Sequence, residues 1–364
     1  MIQKDPGFII GPIARFLGWI IDFVFNIVYP FTEKNSLGIS IILLTFIIRF
    51  LMLPLAVKSQ KSMMAMQKLT PEMDKIKKKY EGLKDTESQQ KMNAELQALY
   101  TKNKVSPFGG CLPLLVQMPI FFALMYLMNQ SFLYITKLRN VYENLAIQIS
   151  SLQDKIPNPD EFPKWAEILA EMSIKYVPTN LRPFQFIPTS LVPAQYLQSA
   201  VPNMTEAAAR WNLIKLLNKL KDAEWNVLFN GCFKELATPE QMDAITTLFQ
   251  QKNNIEMFLG LNMLSNAGLT FPGIIIPILT VITTFLTSWL SMKMTAQTNK
   301  DNNAVMQQRI MMIFMPLLMG YFTVNYPIGV GIYWITSSVF QVIQQAFLNK
   351  RYGVSLSVQK EETK

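Results

Sequence analysis

One arginine lies in the middle of an apolar stretch, and it is the residue of this chain best placed to do chemistry. Arg49 is the thirteenth of the 21 residues from 37 to 57. An arginine at mid-depth in a bilayer costs about 2.5–3.5 kcal/mol on insertion scales, so it normally faces water or a partner. At helical rise it lies about 12 Å from the end of the stretch, further than its side chain comfortably reaches. The pattern therefore favours a hydrated, positively charged cavity that attracts carboxylates or other anions.

Polar residues in the other apolar stretches could line the same cavity. They are Thr45, one turn before the arginine, then Gln117, Thr336, Ser337 and Gln341. Each one alone is more typical of ordinary hydrogen bonding between membrane helices. Beside an arginine without a carboxylate partner, together they favour the cavity. Three functions remain open: an insertase that draws acidic outer segments of client proteins into the bilayer, an anion transporter, and a lipid-binding membrane scaffold.

Composition excludes several other classes. The chain has no histidine and only two cysteines, Cys111 and Cys232. Histidine-based nucleophile systems and His-ligated metal sites are therefore excluded, and we predict no enzyme activity, no metal and no cofactor. Since 50% of the 364 residues are hydrophobic and only 16% are charged, a membrane protein is the leading class. The absence of an internal repeat disfavours the transporter.

Five apolar stretches of the length that crosses a bilayer predict an all-α membrane protein. None of the five contains Asp or Glu. The predicted segments are an N-terminal helix and linker (residues 1–36), span one (37–57), a cytoplasmic helical hairpin (58–106), span two (107–136), an extracytoplasmic insert (137–268), span three (269–291), a cytoplasmic loop (292–309), span four (310–325), span five (328–348) and a cytoplasmic tail (349–364).

The N-terminal segment differs from the five spans. Its apolar residues are interrupted by a polar and glycine stripe on one helical face. This pattern favours a helix lying in the headgroup region over an uncleaved signal-anchor span, although both interpretations stay open. The stripe comprises Gly11, Arg15, Gly18, Asp22 and Asn26.

The distribution of lysine predicts the orientation in the membrane. Residues 58–104 carry 11 Lys and 6 acidic residues, a net charge of +5, whereas residues 137–262 carry 12 basic and 13 acidic residues. Because Lys and Arg beside spans mark the cytoplasmic side, the first segment is predicted inside and the second outside. The overall charge of +9 therefore reports orientation, and we expect no sequence-specific nucleic acid binding.

The cytoplasmic segment is predicted to be a helical hairpin. Thr70-Pro71 and Thr86, with Gln89 three residues later, are typical helix starts. Exposed methionines suit surfaces that accept varied partners, but they could equally pack the two arms together. The predicted recruitment surface comprises Met63, Met64, Met66, Met73, Lys77 and Lys78.

Two helices are predicted in the outer segment. Residues 205–225 have amphipathic helical spacing, and Thr238-Pro239-Glu240-Gln241 is a strong helix start. Cys111 and Cys232 fall in different compartments under this topology, so we predict no disulfide between them.

Several stretches resemble the YidC-type membrane protein insertases of the oxidase-assembly family. The resemblance covers about 250 residues and all five spans. The most specific signal is the stretch GGCLPLLVQMPI (109–120). The matching stretches are IILLTFIIRFLMLPL (41–55), the basic hairpin with Lys61-Ser62-Met63, SPFGGCLPLLVQMPI (106–120), the run Phe258-Leu259-Gly260, and the span-five residues Pro327, Gly329, Tyr333, Trp334, Gln344 and Gln345.

This resemblance implies five helices around a hydrophilic groove that opens to the cytoplasm and to lipid, with Arg49 inside. By position, Gln117, Trp334 and Ser337 match groove-side residues, whereas Phe314, Met315 and Tyr333 would lie near the face along which clients slide. The implied partners are nascent membrane proteins, lipid, and the Sec translocon, ribosome and signal recognition particle pathway. The implied location is the bacterial cytoplasmic membrane. The outer insert, residues 141–254, departs from the family pattern, so its role does not transfer.

Overall fold

A computed structural model of the chain describes residues 7–83, 85–106, 112–152, 203–295 and 302–352. These residues are predominantly helical, and they include one two-stranded β-hairpin. Contacts divide the chain into two compact units. The first unit holds residues 1–17, 38–128 and 266–364, and the second unit holds residues 18–37 and 129–265. The predominance of helix confirms the predicted all-α class at the level of secondary structure.

The first two helices are α1 (Ile10–Val28) and α2 (Ser36–Lys79). Helix α2 joins predicted span one to the first arm of the hairpin in one continuous helix of 44 residues. The expected helix start at Thr70-Pro71 is wrong, because the helix passes through that proline. A proline inside a helix loses one hydrogen bond, and here Leu69 and Thr70 are buried, so packing keeps the segment helical.

Helix α3 (Thr86–Lys102) forms the second arm of the hairpin. Its N-cap is Asp85, one residue before the predicted cap, and the Asp85 carboxylate accepts the Ser88 N–H at 2.8 Å. This backbone N–H holds the pKa of Asp85 below its usual value. The Gln89 side chain, expected to complete a capping box, donates to the Leu83 carbonyl instead.

The helix in predicted span two ends before the apolar sequence of that span does. The chain here forms α4 (Leu112–Asn129), a short α5 (Ser131–Tyr134) and α6 (Thr136–Ser151). The junction between α5 and α6 is stabilised by Arg139, whose guanidinium donates to the carbonyls of Phe132 and Leu133 in α5. Carbonyls freed by the helix end are thereby satisfied, as buried backbone groups require.

Asp22 of α1 caps the N-terminus of α6. One carboxylate oxygen of Asp22 accepts the Thr136 N–H at 2.8 Å, and the other accepts its hydroxyl at 2.9 Å. Close packing accompanies this contact, since a Cβ added at Gly18 would lie 2.2 Å from the Tyr134 ring. Two members of the predicted stripe therefore hold α1 against the start of α6.

Three long helices follow in the first unit. They are α11 (Ile275–Thr295), α12 (Asn302–Asn325) and α13 (Ile328–Tyr352), and α11 packs against both of the others. Helix α11 begins six residues after the predicted start of span three at residue 269. Gly331 of α13 lets it approach α11 closely, because a Cβ there would lie 2.2 Å from the Ile276 side chain.

By length and apolar composition, two described segments could cross a membrane, namely Ile10–Val28 and Ser36–Ser62. Three shorter apolar helices fall within predicted spans two, three and four. They are Leu115–Asn129, Ile275–Leu290 and Met312–Asn325.

The second unit contains the remaining elements. They are α7 (Glu206–Leu217), α8 (Asp222–Val227), a π-helical turn (Leu228–Phe233), α9 (Lys234–Leu236), α10 (Pro239–Glu256) and the antiparallel strands β1 (Met257–Phe258) and β2 (Leu261–Asn262). The predicted start of α10 is confirmed, since Thr238 and Gln241 form a reciprocal capping box. The amphipathic segment 205–225 is two helices rather than one, interrupted at residues 218–221.

A buried ion pair lies in the core of the second unit. Lys252 Nζ is 2.9 Å from Glu256 Oε2, and both side chains are almost completely buried. The same carboxylate accepts from the Tyr142 hydroxyl at 2.6 Å and from the Asn262 amide at 3.1 Å. Burial, together with the neighbouring Glu256 carboxylate, raises the pKa of Tyr142 well above its ordinary value. Its hydroxyl therefore stays protonated and remains a donor.

Candidate functional site

Arg49 lies on α2 with its guanidinium directed at α13. Its Nε donates to the Ser337 hydroxyl at 2.6 Å, and Nη2 contacts the same oxygen. Arg49 is half-buried and Ser337 is buried. Two residues that the sequence placed in one cavity, 288 positions apart, are therefore in direct contact.

The contact extends through α13 to α4. Tyr333 precedes Ser337 by one helical turn, so the two residues lie on the same face of α13. The Gln117 amide in turn donates to the Tyr333 hydroxyl at 2.7 Å. Two hydrogen-bonded pairs, Arg49–Ser337 and Gln117–Tyr333, thus join α13 to α2 and to α4. We call this set the arginine network.

No carboxylate in the described part of the chain forms an ion pair with Arg49. A guanidinium has five N–H donors in a fixed fork, whereas Ser337 offers one oxygen. The arginine network therefore keeps a net positive charge and donor capacity. This combination suits a carboxylate or another anion, because planar oxygen pairs match the guanidinium fork.

Trp334, which follows Tyr333 on α13, makes a second polar contact. The Trp334 indole N–H donates to the Thr284 hydroxyl of α11 at 2.9 Å, and its ring meets the edge of Phe121 of α4. Thr284 was not among the predicted cavity residues. A signal was present, because Thr280, Thr284 and Thr287 recur at helical spacing in an apolar span, and all three are buried.

Among the described residues, three other predicted cavity residues have no side-chain hydrogen bond to the arginine network. Thr45 is buried, but its hydroxyl donates to the Ile41 carbonyl of its own helix at 2.7 Å. Thr336 is half-buried, and Gln341 is exposed one turn beyond Ser337. The structure therefore brings together Arg49, Gln117 and Ser337 among the predicted cavity residues.

The predicted client face divides into exposed and buried residues. Phe314 of α12 is 54% exposed, Met315 is half-buried and Tyr333 is completely buried within the arginine network. Phe314 belongs to an apolar exposed row along α12. The row comprises Ile310, Ile313, Phe314, Leu317 and Tyr321. Helix α11 also exposes Ile278, Leu279, Ile282, Phe285 and Leu286.

Polar contacts hold the hairpin arms together. Glu95 of α3 accepts from Lys79 Nζ at 2.5 Å and from the Tyr80 hydroxyl at 2.9 Å, and Tyr100 contacts the Met73 sulfur at 3.8 Å. The hydrogen bond from Lys79 lowers the pKa of Glu95. For Met73, the packing interpretation of the methionines therefore has direct support.

The rest of the predicted recruitment surface is partly described. Met66 and Lys77 are half-buried and Lys78 is exposed, whereas the side chains of Met63 and Met64 lie outside the described residues. The side chains of Cys111 and Cys232 also lie outside them. Within the described residues, no group of three or more His, Cys, Asp or Glu side chains could hold a metal ion.

Similar proteins point to one family. A family model described as "60Kd inner membrane protein" matches residues 27–220 and 221–355. Three similar curated proteins are a membrane protein insertase YidC of Citrifermentans bemidjiense (36% identical over 175 residues, 48% of this chain and 29% of the relative), YidC 2 of Bacillus anthracis (53% over 89 residues, 24% and 34%) and the membrane protein insertase MisCA of Bacillus subtilis (47% over 103 residues, 26% and 39%).

These alignments cover only part of each relative. The chain spans 19% of the length of a YidC from Syntrophobacter fumaroxidans and 44% of one from Fusobacterium nucleatum. The similarity is thus strong but local.

Proposed function

The chain belongs to the 60Kd inner membrane protein family, and from that premise we propose that it is a membrane protein insertase. In this proposal it inserts nascent membrane proteins and helps them fold, and it makes or breaks no covalent bonds. Its location is the bacterial cytoplasmic membrane. The names of the similar curated proteins support this function.

The observation that carries the proposal is the unneutralised charge of Arg49. Its guanidinium contacts a serine hydroxyl rather than a carboxylate, at mid-depth of a stretch with no other charge. A charge so placed is costly unless water or an anionic partner reaches it. The outer segment of a client, if it carries a carboxylate, supplies such a partner while it crosses the bilayer. The arginine network therefore forms one wall of the proposed hydrophilic groove.

The exposed apolar rows of α11 and α12 are the proposed path of the client helix. Large apolar side chains such as Phe314 and Phe285 are costly to expose to water but compatible with lipid or an apolar helix. Tyr333 acts on the groove side in this proposal, because it is buried and bonded to Gln117. Free energy comes from hydrophobic burial of the client helix, with a contribution from the membrane potential.

Five spans, with the hairpin cytoplasmic and the insert outside, make up the proposed arrangement in the membrane. Helix α1 is proposed to lie at the outer surface. It buries one face in the protein and exposes Phe16, Trp19, Phe23 and Ile27 at helical spacing on another. Aromatic side chains, tryptophan above all, favour the membrane–water interface.

The hairpin is the proposed recruitment surface. Its lysines, among them Lys78, suit the anionic surfaces of ribosomes and headgroups. We propose that it receives clients from the ribosome and the signal recognition particle pathway, with or without the Sec translocon.

Site-specific crosslinking tests this function. A photoreactive amino acid replaces Phe314 on the proposed path, and a matched control replaces Val227, which is similarly exposed in the second unit. We expect a stalled nascent membrane protein to crosslink at position 314 and not at 227. Equal yields at the two positions would contradict the proposed path. Saturable anion flux into liposomes, abolished by Arg49→Ala, would favour the transporter instead.

A further inference from the structure

The hairpin β1–β2 has an unusual residue at its tip. Its two-residue turn consists of Leu259 and Gly260, with φ angles of +51° and +81°. Turns with two left-handed residues favour Asn, Asp or Gly at the first position, because a side chain such as leucine crowds the backbone there. Leucine at this position therefore costs free energy that an Asn-Gly turn would avoid.

Exposure adds a second cost in water. The Leu259 side chain is 79% exposed, although the hairpin beneath it is well held. Asn262 at the base of the hairpin donates to the buried carboxylate of Glu256, and the Met263 N–H donates to the Glu256 carbonyl. The tip is therefore a fixed projection that presents one large apolar side chain.

A hydrogen bond between the tip and the residue before α2 identifies the surroundings of the tip. The Leu259 N–H donates to the Asn35 side-chain oxygen at 2.9 Å, and Asn35 immediately precedes α2. The segment Ser36–Ser62 of α2 is long and apolar enough to cross a bilayer. If α2 spans the membrane as proposed, Asn35 lies at the membrane surface, where the helix leaves the hydrocarbon. The hydrogen bond to Asn35 holds Leu259 at the same depth.

The linker that precedes α2 also exposes a large apolar side chain. Phe31, four residues before Asn35, is 85% exposed. A backbone that crosses the headgroup region can bury such side chains at the acyl boundary, where apolar area is removed from water. The acyl boundary would therefore remove the cost of exposing Phe31 and Leu259 to water.

We propose that Leu259 and Phe31 form an anchor in the outer leaflet, with the acyl boundary of phospholipids as the partner. Asn35 holds the hairpin tip at that depth. The anchor fixes the end of the insert to the membrane beside the start of span one. This inference rests on the membrane placement of α2 proposed above, but it does not depend on insertion of any client.

Fluorescence in purified proteoliposomes tests the anchor. In a variant of the full chain with Cys111 and Cys232 replaced by serine, an environment-sensitive NBD label is attached to Leu259→Cys. The matched control is Gln251→Cys, on an exposed polar position of α10. We expect the label at 259 to emit at shorter wavelength and to be quenched several-fold more by phospholipids that carry a nitroxide near the headgroup.

Two outcomes would overturn the proposal. Emission and quenching at position 259 equal to those at 251 would place the tip in water, free for a protein partner. Quenching at 259 that is unchanged by Asn35→Ala would show that Asn35 does not set the depth. Because no client is present, failure of the anchor leaves the insertase proposal standing, and loss of insertion leaves the anchor testable.

Discussion

Replacing Arg49 with alanine removes the charge that is proposed to attract client carboxylates. A carboxylate that displaces the Ser337 hydroxyl, now 2.6 Å from Nε, would sit about 4 Å from the guanidinium charge. At that separation the attraction is about 1 kcal/mol in water and about 4 kcal/mol at an effective dielectric constant of 20. Because Arg49 is only half-buried, the lower part of this range applies.

The expected effect is therefore at least about fivefold, since 1.4 kcal/mol corresponds to a factor of ten. The assay compares two clients that differ only in one outer residue, aspartate in one and asparagine in the other. Their insertion into proteoliposomes is measured with wild-type protein and with Arg49→Ala. We expect the substitution to slow the aspartate client at least fivefold relative to the asparagine client, and Arg49→Lys to restore most of the difference.

Ser337→Ala is the matched control. It removes the hydrogen bond to Arg49 but keeps the charge, so the preference for the aspartate client should persist. Thermal unfolding of each variant shows whether the fold is retained. Equal slowing of both clients by Arg49→Ala would contradict a role for the charge, as would insertion of the aspartate client by Arg49→Glu at the wild-type rate.

Three further predictions concern stability. Lys252→Met leaves Glu256 buried without its cation, so unfolding of the second unit, followed by hydrogen exchange, should become easier by about 3 kcal/mol; adding Glu256→Gln should recover part of this loss. Gly331→Ala places a methyl group 2.2 Å from the Ile276 side chain of α11, so the melting temperature should fall by the equivalent of about 1–3 kcal/mol, and the same substitution should cost less in an Ile276→Ala background than in wild type. The hydrogen bond from Lys79 depresses the folded-state pKa of Glu95, so its stabilisation of the hairpin is present above the unfolded pKa of about 4.3 and is lost as pH falls through the folded pKa. Hydrogen exchange of the hairpin between pH 7 and pH 3 should show this loss in wild type and not in Glu95→Gln.

Local patterns in the sequence determined much of the secondary structure. The α10 start at Thr238 was predictable because a capping box needs only residues three positions apart. The apolar stretches became helices for a similar reason, since hydrophobic length and helical period are local properties. Where packing intervened, local signals failed: Pro71 did not start a new helix, and α4 ended at Asn129 within an apolar run.

The isolation of Arg49 in its span was also visible in the sequence, because it depends only on which residues are absent nearby. Which of the candidate polar residues its guanidinium contacts was not. Ser337, the Tyr333–Gln117 bond and the Trp334–Thr284 bond join residues that are 50 to 288 positions apart. Hydrogen bonds between side chains depend on angles and separations of a few ångströms, and only the packing of α2, α4, α11 and α13 sets those values. The sequence therefore determined that the charge lies alone in its span, whereas the tertiary structure decided that the Ser337 hydroxyl accepts a hydrogen bond from the guanidinium.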